Sequence, residues 1–228
     1  MEDQASIPAW LGSHIKGDSW DAIAAEVALQ GSKELVHRGE LLGIPVASVG
    51  EAEPTDDHAD RSGGNTRFVG VPKVVDLSSM WAGPLCGWYL ARSGAEVTKI
   101  ESSTRPDGIR KGSIDFYRRL NSGKNIVTLN FENPENVSQL RSLIRASDII
   151  IEGSRPRALM HLGIDATEEV ERGAIWISIT GHGRTEAPNR VGFGDDAAAS
   201  ASLLAKVDDS LWFIGDAIAD PITGATAA

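Results

Sequence analysis

Short apolar runs alternate with helix-like stretches between residues 73 and 180. Ile126 to Leu129, Ile149 to Ile151 and Ile175 to Ile177 are three such runs, and residues 134–147, between the first two, have helical spacing. Strands that are apolar on both faces are typical of a buried parallel sheet, and parallel strands need crossover connections that are usually helices. The pattern therefore predicts an α/β fold with a mostly parallel sheet flanked by helices.

The chain has three sections of different composition. In residues 1–50, apolar residues such as Trp20, Ile23 and Val27 recur at helical spacing before Gly43-Ile44-Pro45, which predicts a short helical segment that ends in a turn. Residues 51–68 are polar, acidic and contain glycine, a composition typical of a linker. Residues 69–228 then form the predicted Rossmann-like domain, in which ligands bind beyond the carboxyl ends of the strands.

Charge and cysteine content argue against several classes of protein. The formal net charge is -10 and the 22 basic residues are scattered, so we expect no nucleic-acid partner. Cys86 is the single cysteine, and the N-terminus lacks the pattern of a signal peptide. No apolar run approaches the roughly 18 residues of a membrane span. These observations predict a soluble, cytoplasmic protein that does not bind membranes.

Six motifs follow one another near the ends of the predicted strands. They are Val75-Asp76-Leu77-Ser78 with Ala82-Gly83-Pro84, Gly94-Ala95-Glu96-Val97 with Lys99-Ile100-Glu101, Asn121-Ser122-Gly123-Lys124, Ala146-Ser147-Asp148 to Glu152 with Arg155-Pro156 and Leu162-Gly163, Thr180-Gly181-His182-Gly183, and Gly215-Asp216 with Asp220-Pro221-Ile222-Thr223-Gly224. In this order and spacing they resemble the family III CoA-transferases, also known as the CaiB/BaiF family. The resemblance covers about residues 73–228.

The resemblance implies an enzyme that moves CoA from an acyl-CoA donor to a small carboxylic acid. In such a reaction an aspartate attacks the thioester, forms a mixed anhydride and then carries CoA as an aspartyl thioester, so no metal and no tightly bound cofactor is required. Asp195 lies fourteen positions after Gly181, where the family has its nucleophile. Asp196 is the alternative, because two carboxylates are adjacent here.

The two aspartates also have a structural explanation. They precede a run, Ala197 to Leu204, that is typical of a helix, so both can act as helix caps. The first-turn amides of that helix could stabilise developing oxyanions. The glycines of Gly192-Phe193-Gly194 would allow the backbone to approach an acyl group.

Further residues are candidates for binding CoA. Lys124 suits a phosphate of CoA, and Arg105, Arg110, Arg118 or Arg119 could reach the 3′-phosphate of its nucleotide, since Lys and Arg are the usual phosphate partners. The resemblance implies that the remaining candidates lie near the acyl-CoA, and these are Met80, Trp81, Ala82, Ser154, Arg155 and Asp216. Packing in the core is an equally good explanation for the presence of Met80 and Trp81. For Arg105 the alternative to a phosphate contact is a solvated surface charge.

The chain departs from the family in two respects. The loop after Glu152 reads Gly153-Ser154-Arg155-Pro156-Arg157 where the family has Asn-Phe-Arg-Pro-Gly, so an amide and an aromatic group are absent from the CoA pocket. Gly43 to Val49 resembles the end of the family's small domain, which normally follows the Rossmann-like part. We therefore expect a partial copy from a tandem or split enzyme, with the Rossmann-like domain incomplete at its C-terminal end. We also expect it to assemble with another copy or with a partner CoA-transferase subunit.

Three other functions are compatible with parts of this pattern. A racemase acting next to a thioester shares the fold and could use Asp216, but such racemases have a histidine where this chain has Gly194. A nicotinamide-dependent dehydrogenase would need a glycine fingerprint after the first strand, and Ser78 to Pro84 lacks it. A non-catalytic subunit that binds CoA, or that retains only the family's intertwined interface, is the third alternative.

Overall fold

The structure is a computed structural model and describes residues 2–13, 20–52 and 70–228. The helices are α1 (Glu2–Leu11), α2 (Trp20–Ala28), α3 (Ser32–Leu42), α4 (Ala82–Arg92), α5 (Ile109–Gly112), α6 (Ile114–Asn121), α7 (Pro134–Arg145), α8 (Pro156–His161), α9 (Ala166–Glu171), α10 (Gly194–Ser200) and α11 (Ala219–Thr226). The strands are β1 (Lys73–Asp76), β2 (Glu96–Ser102), β3 (Asn125–Leu129), β4 (Ile149–Glu152), β5 (Ile175–Ser178), β6 (Leu204–Val207) and β7 (Ser210–Phe213).

Strands β1 to β5 form one sheet in the order β3-β2-β1-β4-β5, and every neighbouring pair is parallel. Successive residues of a strand point to opposite faces, so Val75 and Ile150 enter one core while Val74, Ile149 and Ile151 enter the other. Helix α7 contributes Leu140 and Ile144 to the first core, and α4 contributes Cys86 to the second. The predicted parallel sheet with helices on its faces is therefore confirmed.

The sheet has a switch point between β1 and β4. From β1 the chain adds β2 and then β3 on one side, whereas β4 and β5 lie on the other side. Ligands of such sheets bind where the strand order reverses, in the crevice beyond the carboxyl ends. The loops that follow β1 and β4 meet there, because a Cβ added at Gly153 would lie 3.2 Å from the Cβ of Ser78.

Local sequence explains where the flanking helices begin and end. Pro134 occupies the first turn of α7, and the side chain of Asn133 accepts a hydrogen bond from the Glu135 N–H. Asp165 caps α9 in the same way through the Thr167 N–H. In α11, Gly224 is required by packing, since a Cβ there would lie 2.5 Å from the Ala82 carbonyl oxygen.

The chain folds into two compact units. One contains the sheet, its flanking helices and α11, and the other contains the described part of residues 1–54 together with residues 181–218. Within the second unit, the Gly50 N–H donates to the Ala199 carbonyl (3.0 Å) and the Ala52 N–H donates to the Ser200 carbonyl (2.9 Å). The N-terminal helical segment is confirmed, and Gly43 ends α3 with a φ of 71°.

The domain boundaries stay a prediction, because residues 53–68 of the proposed linker lie outside the described residues. Strands β6 and β7 form an antiparallel hairpin in the second unit, and its Leu211, Trp212 and Phe213 side chains are exposed. Among the described residues, no helix is long and apolar enough to cross a membrane.

Candidate active site

Asp195 and Asp196 are the second and third residues of α10, yet their carboxylates have different surroundings. The Oδ1 atom of Asp195 accepts one hydrogen bond, from the N–H of Ala217 at 3.1 Å, and the side chain is exposed. Among the residues that the structure describes, its Oδ2 atom accepts no hydrogen bond. Asp195 therefore presents a carboxylate oxygen to solvent.

Both oxygens of the Asp196 carboxylate are occupied. Oδ1 accepts a hydrogen bond from the Phe193 N–H at 2.7 Å, and Oδ2 lies 3.1 Å from Nε2 of His182. The first contact is the side-chain half of a capping box, in which the third helical residue bonds back to the N-cap amide. The side chains of His182 and Asp196 are 6% and 11% exposed, so the pair is largely removed from solvent. Asp196 thus fixes the start of α10.

Two glycines bring the His182 loop against the entry to α10. A Cβ added at Gly181 would lie 2.8 Å from the Cα atom of Gly192, and one added at Gly192 would lie equally close to Gly181. The sequence interpretation that Gly192 makes room for an acyl group therefore needs correction, because its missing side chain accommodates Gly181. The helix predicted for Ala197 to Leu204 is also corrected. The observed helix, α10, begins and ends earlier, at Gly194 and Ser200.

The loop after β1 is held by buried polar groups in the sheet unit. Ser78 donates to Asp76 through its N–H (3.0 Å) and its hydroxyl group, and its carbonyl accepts from Nζ of Lys99 at 2.5 Å. The N–H of Met80 donates to Oδ1 of Asp107 at 3.1 Å. These contacts fix the backbone of Ser78 to Met80 at the carboxyl edge of the sheet.

Lys124 has a structural role, which corrects its assignment to a CoA phosphate. Its ammonium group donates to Oδ2 of Asp76 (2.8 Å), the Pro84 carbonyl (2.7 Å) and Oδ1 of Asn121 (3.0 Å). A lysine has three N–H donors, and all three are used inside the protein. Its side chain and that of Asp76 are both 0% exposed. No proton of Lys124 is left for a phosphate.

The pKa values of this pair reflect burial and mutual attraction. Burial alone would raise the pKa of Asp76, but the charges of Lys99 and Lys124 outweigh it and the pKa is lowered. Burial lowers the pKa of Lys124, and Asp76 opposes that change. The Asp76 carboxylate therefore stays ionised between two buried lysines.

The other predicted binding residues differ in accessibility. Ala82 is buried and its N–H donates to Asp220 at 3.3 Å, so Ala82 packs inside the fold. The prediction that Ala82 contacts the acyl-CoA is therefore corrected. Trp81 is half-buried and makes an edge-to-face contact with Phe116 at 5.1 Å. Met80 is 43% exposed. Ser154 is half-buried, and Arg105, Arg155 and Asp216 are exposed.

A second charged cluster lies at the end of β2, and it includes Arg110, which the sequence offered as a candidate for the 3′-phosphate of CoA. Arg110 donates to both Glu101 oxygens at 2.9 Å, and the hydroxyl of Tyr117 also donates to Glu101. Burial by itself would raise the pKa of Glu101, but the bonds from Arg110 and Tyr117 outweigh it and lower the pKa to about 2. The sequence did contain a signal for this cluster. Charged residues occur inside the apolar strand Val97 to Ile100 and at its end, and buried charges need partners.

The described residues include a Rossmann-like parallel sheet flanked by helices, and an exposed carboxylate, Asp195, that accepts a hydrogen bond from the turn after β7. The sequence profile of the family described as CoA-transferase family III matches residues 70–228. The chain belongs to CoA-transferase family III.

Known proteins with related sequences or structures carry names consistent with this family. An acyl-CoA transferase of Fusarium pseudograminearum is 34% identical over 151 residues, which are 58% of this chain and 33% of that protein. The succinyl-CoA:glutarate CoA-transferase of Homo sapiens is 33% identical over 138 residues, covering 57% of this chain and 31% of the relative. The crystal structure of a CAIB/BAIF family protein from Brucella suis superimposes with a TM-score of 0.63 at 29% identity, over 72% of this chain and 47% of that one. The chain thus spans about a third of the curated relatives' length.

Proposed function

We propose that this chain takes part in CoA transfer from an acyl-CoA to a carboxylic acid, with Asp195 as the nucleophile. The observation that carries the proposal is the contrast between the adjacent aspartates. Asp195 is exposed, and within the described part of the chain one of its oxygens accepts no hydrogen bond, whereas Asp196 is bonded through both oxygens. A nucleophile needs an accessible lone pair, and only Asp195 offers one. Family membership supports CoA transfer as the reaction.

The proposed reaction conserves CoA and both acids. Oδ2 of Asp195 attacks the carbonyl carbon of the acyl-CoA, and the C–S bond breaks to release CoA thiolate and leave a mixed anhydride. The thiolate then attacks the side-chain carbonyl carbon of Asp195, which expels the donor acid as its carboxylate. The acceptor carboxylate attacks the resulting aspartyl-CoA thioester, and its C–S bond breaks to release CoA thiolate and leave a second mixed anhydride, between Asp195 and the acceptor. Return of the thiolate to the acceptor's acyl carbon gives the new acyl-CoA and restores the Asp195 carboxylate.

The turn that follows β7 can assist the step on the side chain of Asp195. Ala217 has a φ of 48°, a left-handed conformation uncommon for residues other than glycine, and its N–H points at Oδ1. When the thiolate attacks the Asp195 carbonyl, negative charge develops on that same oxygen. A fixed N–H donor at the oxygen lowers the energy of the tetrahedral intermediate. The strained turn thus places a donor where charge appears.

Residues at the carboxyl edge of the sheet are proposed to bind the CoA moiety. Met80 and Trp81 offer apolar surface to the pantetheine arm, and Ser154 and Arg155 follow β4 at the switch point. Arg105 is exposed beyond β2 and is suited to a phosphate of the nucleotide. Asp216, beside Ala217, is proposed to contact the substrate. No tightly bound cofactor is proposed, because CoA itself is the group transferred.

We also propose that the working enzyme contains a further copy of this chain or a partner CoA-transferase subunit. A relative from Chloroflexus aurantiacus that is 30% identical over 122 residues is named as the beta subunit of a succinyl-CoA--L-malate CoA-transferase. Sedimentation at micromolar concentration should therefore show an oligomer. A single species of monomer mass would argue against this part of the proposal.

Isotope exchange tests the reaction without knowledge of the natural acceptor. The chain is incubated with acetyl-, succinyl- or formyl-CoA and with the matching free acid labelled with ¹³C, and the label in the thioester is followed by mass spectrometry. Label should enter the thioester with the unsubstituted chain and not with Asp195→Asn. Binding of the thioester without exchange would point to a subunit that depends on a partner. If the chain shows no binding of any of the three thioesters and no exchange with any of them, the proposal is overturned.

A further inference from the structure

Met80 has a backbone conformation that is unfavourable for its residue type. Its φ is 70°, in the left-handed region that glycine adopts readily and other residues rarely do. The residue lies in the loop after β1, at the carboxyl edge of the sheet, and 43% of its surface is exposed. Such strain persists only where the surrounding structure enforces it, and it is concentrated at functional sites.

Asp107 is the group that enforces this conformation. Its Oδ1 atom accepts hydrogen bonds from the N–H groups of Met80 and Ile109, both at 3.1 Å. Nζ of Lys99 lies 3.6 Å from its other oxygen, and the two side chains are 0% and 1% exposed. A buried carboxylate that is paired with a buried ammonium group cannot turn away without losing its charge partner. Asp107 therefore joins the Met80 loop rigidly to the loop after β2.

Gly108 leaves space for the Met80 side chain. A Cβ added at Gly108 would lie 3.2 Å from the Met80 sulfur atom, closer than most Cβ contacts. The backbone of Gly108 is in the right-handed helical region, with φ of -59° and ψ of -29°, so its conformation does not require glycine. The glycine is therefore explained by the position of the thioether and not by the path of the chain.

We propose that Asp107 is a positioning residue for the acyl-CoA site, acting through Met80. Lys99 and Asp107 hold the Met80 amide in its left-handed conformation, and Gly108 lets the thioether lie across the neighbouring loop. The exposed part of that flexible, polarisable side chain then forms a wall for the thioester or pantetheine arm. This inference rests on the proposed function, since Met80 is one of the residues proposed there to bind the CoA moiety.

The test measures acetyl-CoA affinity and stability on the full chain. Asp107→Asn keeps an oxygen for the Met80 N–H but removes the charge that pairs with Lys99. We expect it to weaken acetyl-CoA binding about tenfold, in the range of one charge-assisted hydrogen bond. In the Met80→Gly background, where the conformation needs no enforcement, the same substitution should change affinity less than about twofold. Asp115→Asn, at an exposed carboxylate of α6, is the matched control and should change nothing.

Gly108→Ala distinguishes positioning from a merely structural role. Alanine is favoured over glycine at this backbone conformation, so the unfolding midpoint should stay the same or rise, while acetyl-CoA affinity falls because the Met80 sulfur must move. Hydrogen exchange of the Met80 amide should be faster in Asp107→Asn than in the control. Equal effects of Asp107→Asn with and without Met80→Gly would overturn the inference and leave the proposed function standing. Absence of binding of acetyl-, succinyl- and formyl-CoA by the unsubstituted chain would instead overturn the proposed site, and this inference with it.

Discussion

His182 and Asp196 form a largely buried pair, with 3.1 Å between the imidazole Nε2 and the carboxylate Oδ2. The pair ties the Gly181-His182 loop to the first turn of α10, and the same carboxylate also accepts the Phe193 N–H. Asp195, the preceding residue, is left exposed with a single bond from Ala217. Asp196 therefore fixes the start of the helix, whereas the neighbouring Asp195 is the proposed nucleophile.

Asp196→Ala should reduce stability, because it removes a cap and the partner of His182. We expect the free energy of unfolding to fall by about 1 to 2 kcal/mol. Asp195→Asn should change it by less than about 0.5 kcal/mol, since that side chain is exposed. Urea titration of both variants gives the comparison. A larger loss of stability in Asp195→Asn than in Asp196→Ala would contradict the assignment.

Lys124→Met should be strongly destabilising and should reveal no direct role in binding phosphate. The substitution leaves Asp76 buried with one lysine fewer, and breaking a buried ion pair costs about 3 to 5 kcal/mol. The matched control is Lys111→Met, at an exposed lysine, and should have little effect. Chemical denaturation measures both. Weakened CoA binding with unchanged stability would restore Lys124 as a phosphate ligand.

Glu101 should make the protein sensitive to acid in a defined pH range. Its pKa is about 2 in the folded protein and 4.5 in its unperturbed state, so the folded state favours the ionised carboxylate. The stabilisation is complete above pH 4.5 and is lost as the pH falls toward 2. Glu101→Gln should therefore flatten the decline in the unfolding midpoint over this interval, and Glu132→Gln, at an exposed glutamate, should not. Identical acid profiles for the two variants would contradict the role of Glu101.

Arg105→Ala should weaken CoA binding through the nucleotide and leave the fold intact. If Arg105 contacts the 3′-phosphate, the affinity for CoA should fall about tenfold while that for 3′-dephospho-CoA is unchanged, since one charge-assisted hydrogen bond is lost. Titration calorimetry with both ligands makes the measurement. Arg145→Ala, at an arginine whose side chain is 71% exposed, is the control. Equal losses for the two ligands would assign Arg105 a different contact.

The sheet could be predicted from the sequence because its strands are apolar on both faces. Runs such as Ile149 to Ile151 are typical of strands that are buried on both faces, and their alternation with helices indicates a parallel sheet, although the order of the strands was not predicted. The hairpin of β6 and β7 was not predicted, although Asp208-Asp209 between two short runs is a two-residue turn signal. Its strands have exposed apolar side chains, so no alternation of apolar and polar residues marked them.

The site could be predicted only where the relevant contacts are local in the sequence. Fourteen residues separate Gly181 from Asp195, and the spacing favoured Asp195 over Asp196. Lys124 was misassigned because its partner Asp76 lies 48 residues earlier, and no local pattern reveals that both are buried. Asp107 was missed for the same reason, since its bond to the Met80 amide spans 27 residues.

The most direct test of the account is to find which aspartate carries the acyl or CoA group. The chain is incubated with acetyl-, succinyl- or formyl-CoA, trapped with hydroxylamine or borohydride, digested and mapped by mass spectrometry, with Asp195→Asn and Asp196→Asn in parallel. If Asp195 is the nucleophile, we expect a modification on Asp195 that is absent from Asp195→Asn and still present, at reduced yield, in Asp196→Asn. A modification that maps to Asp196, or one that survives in Asp195→Asn, would contradict it.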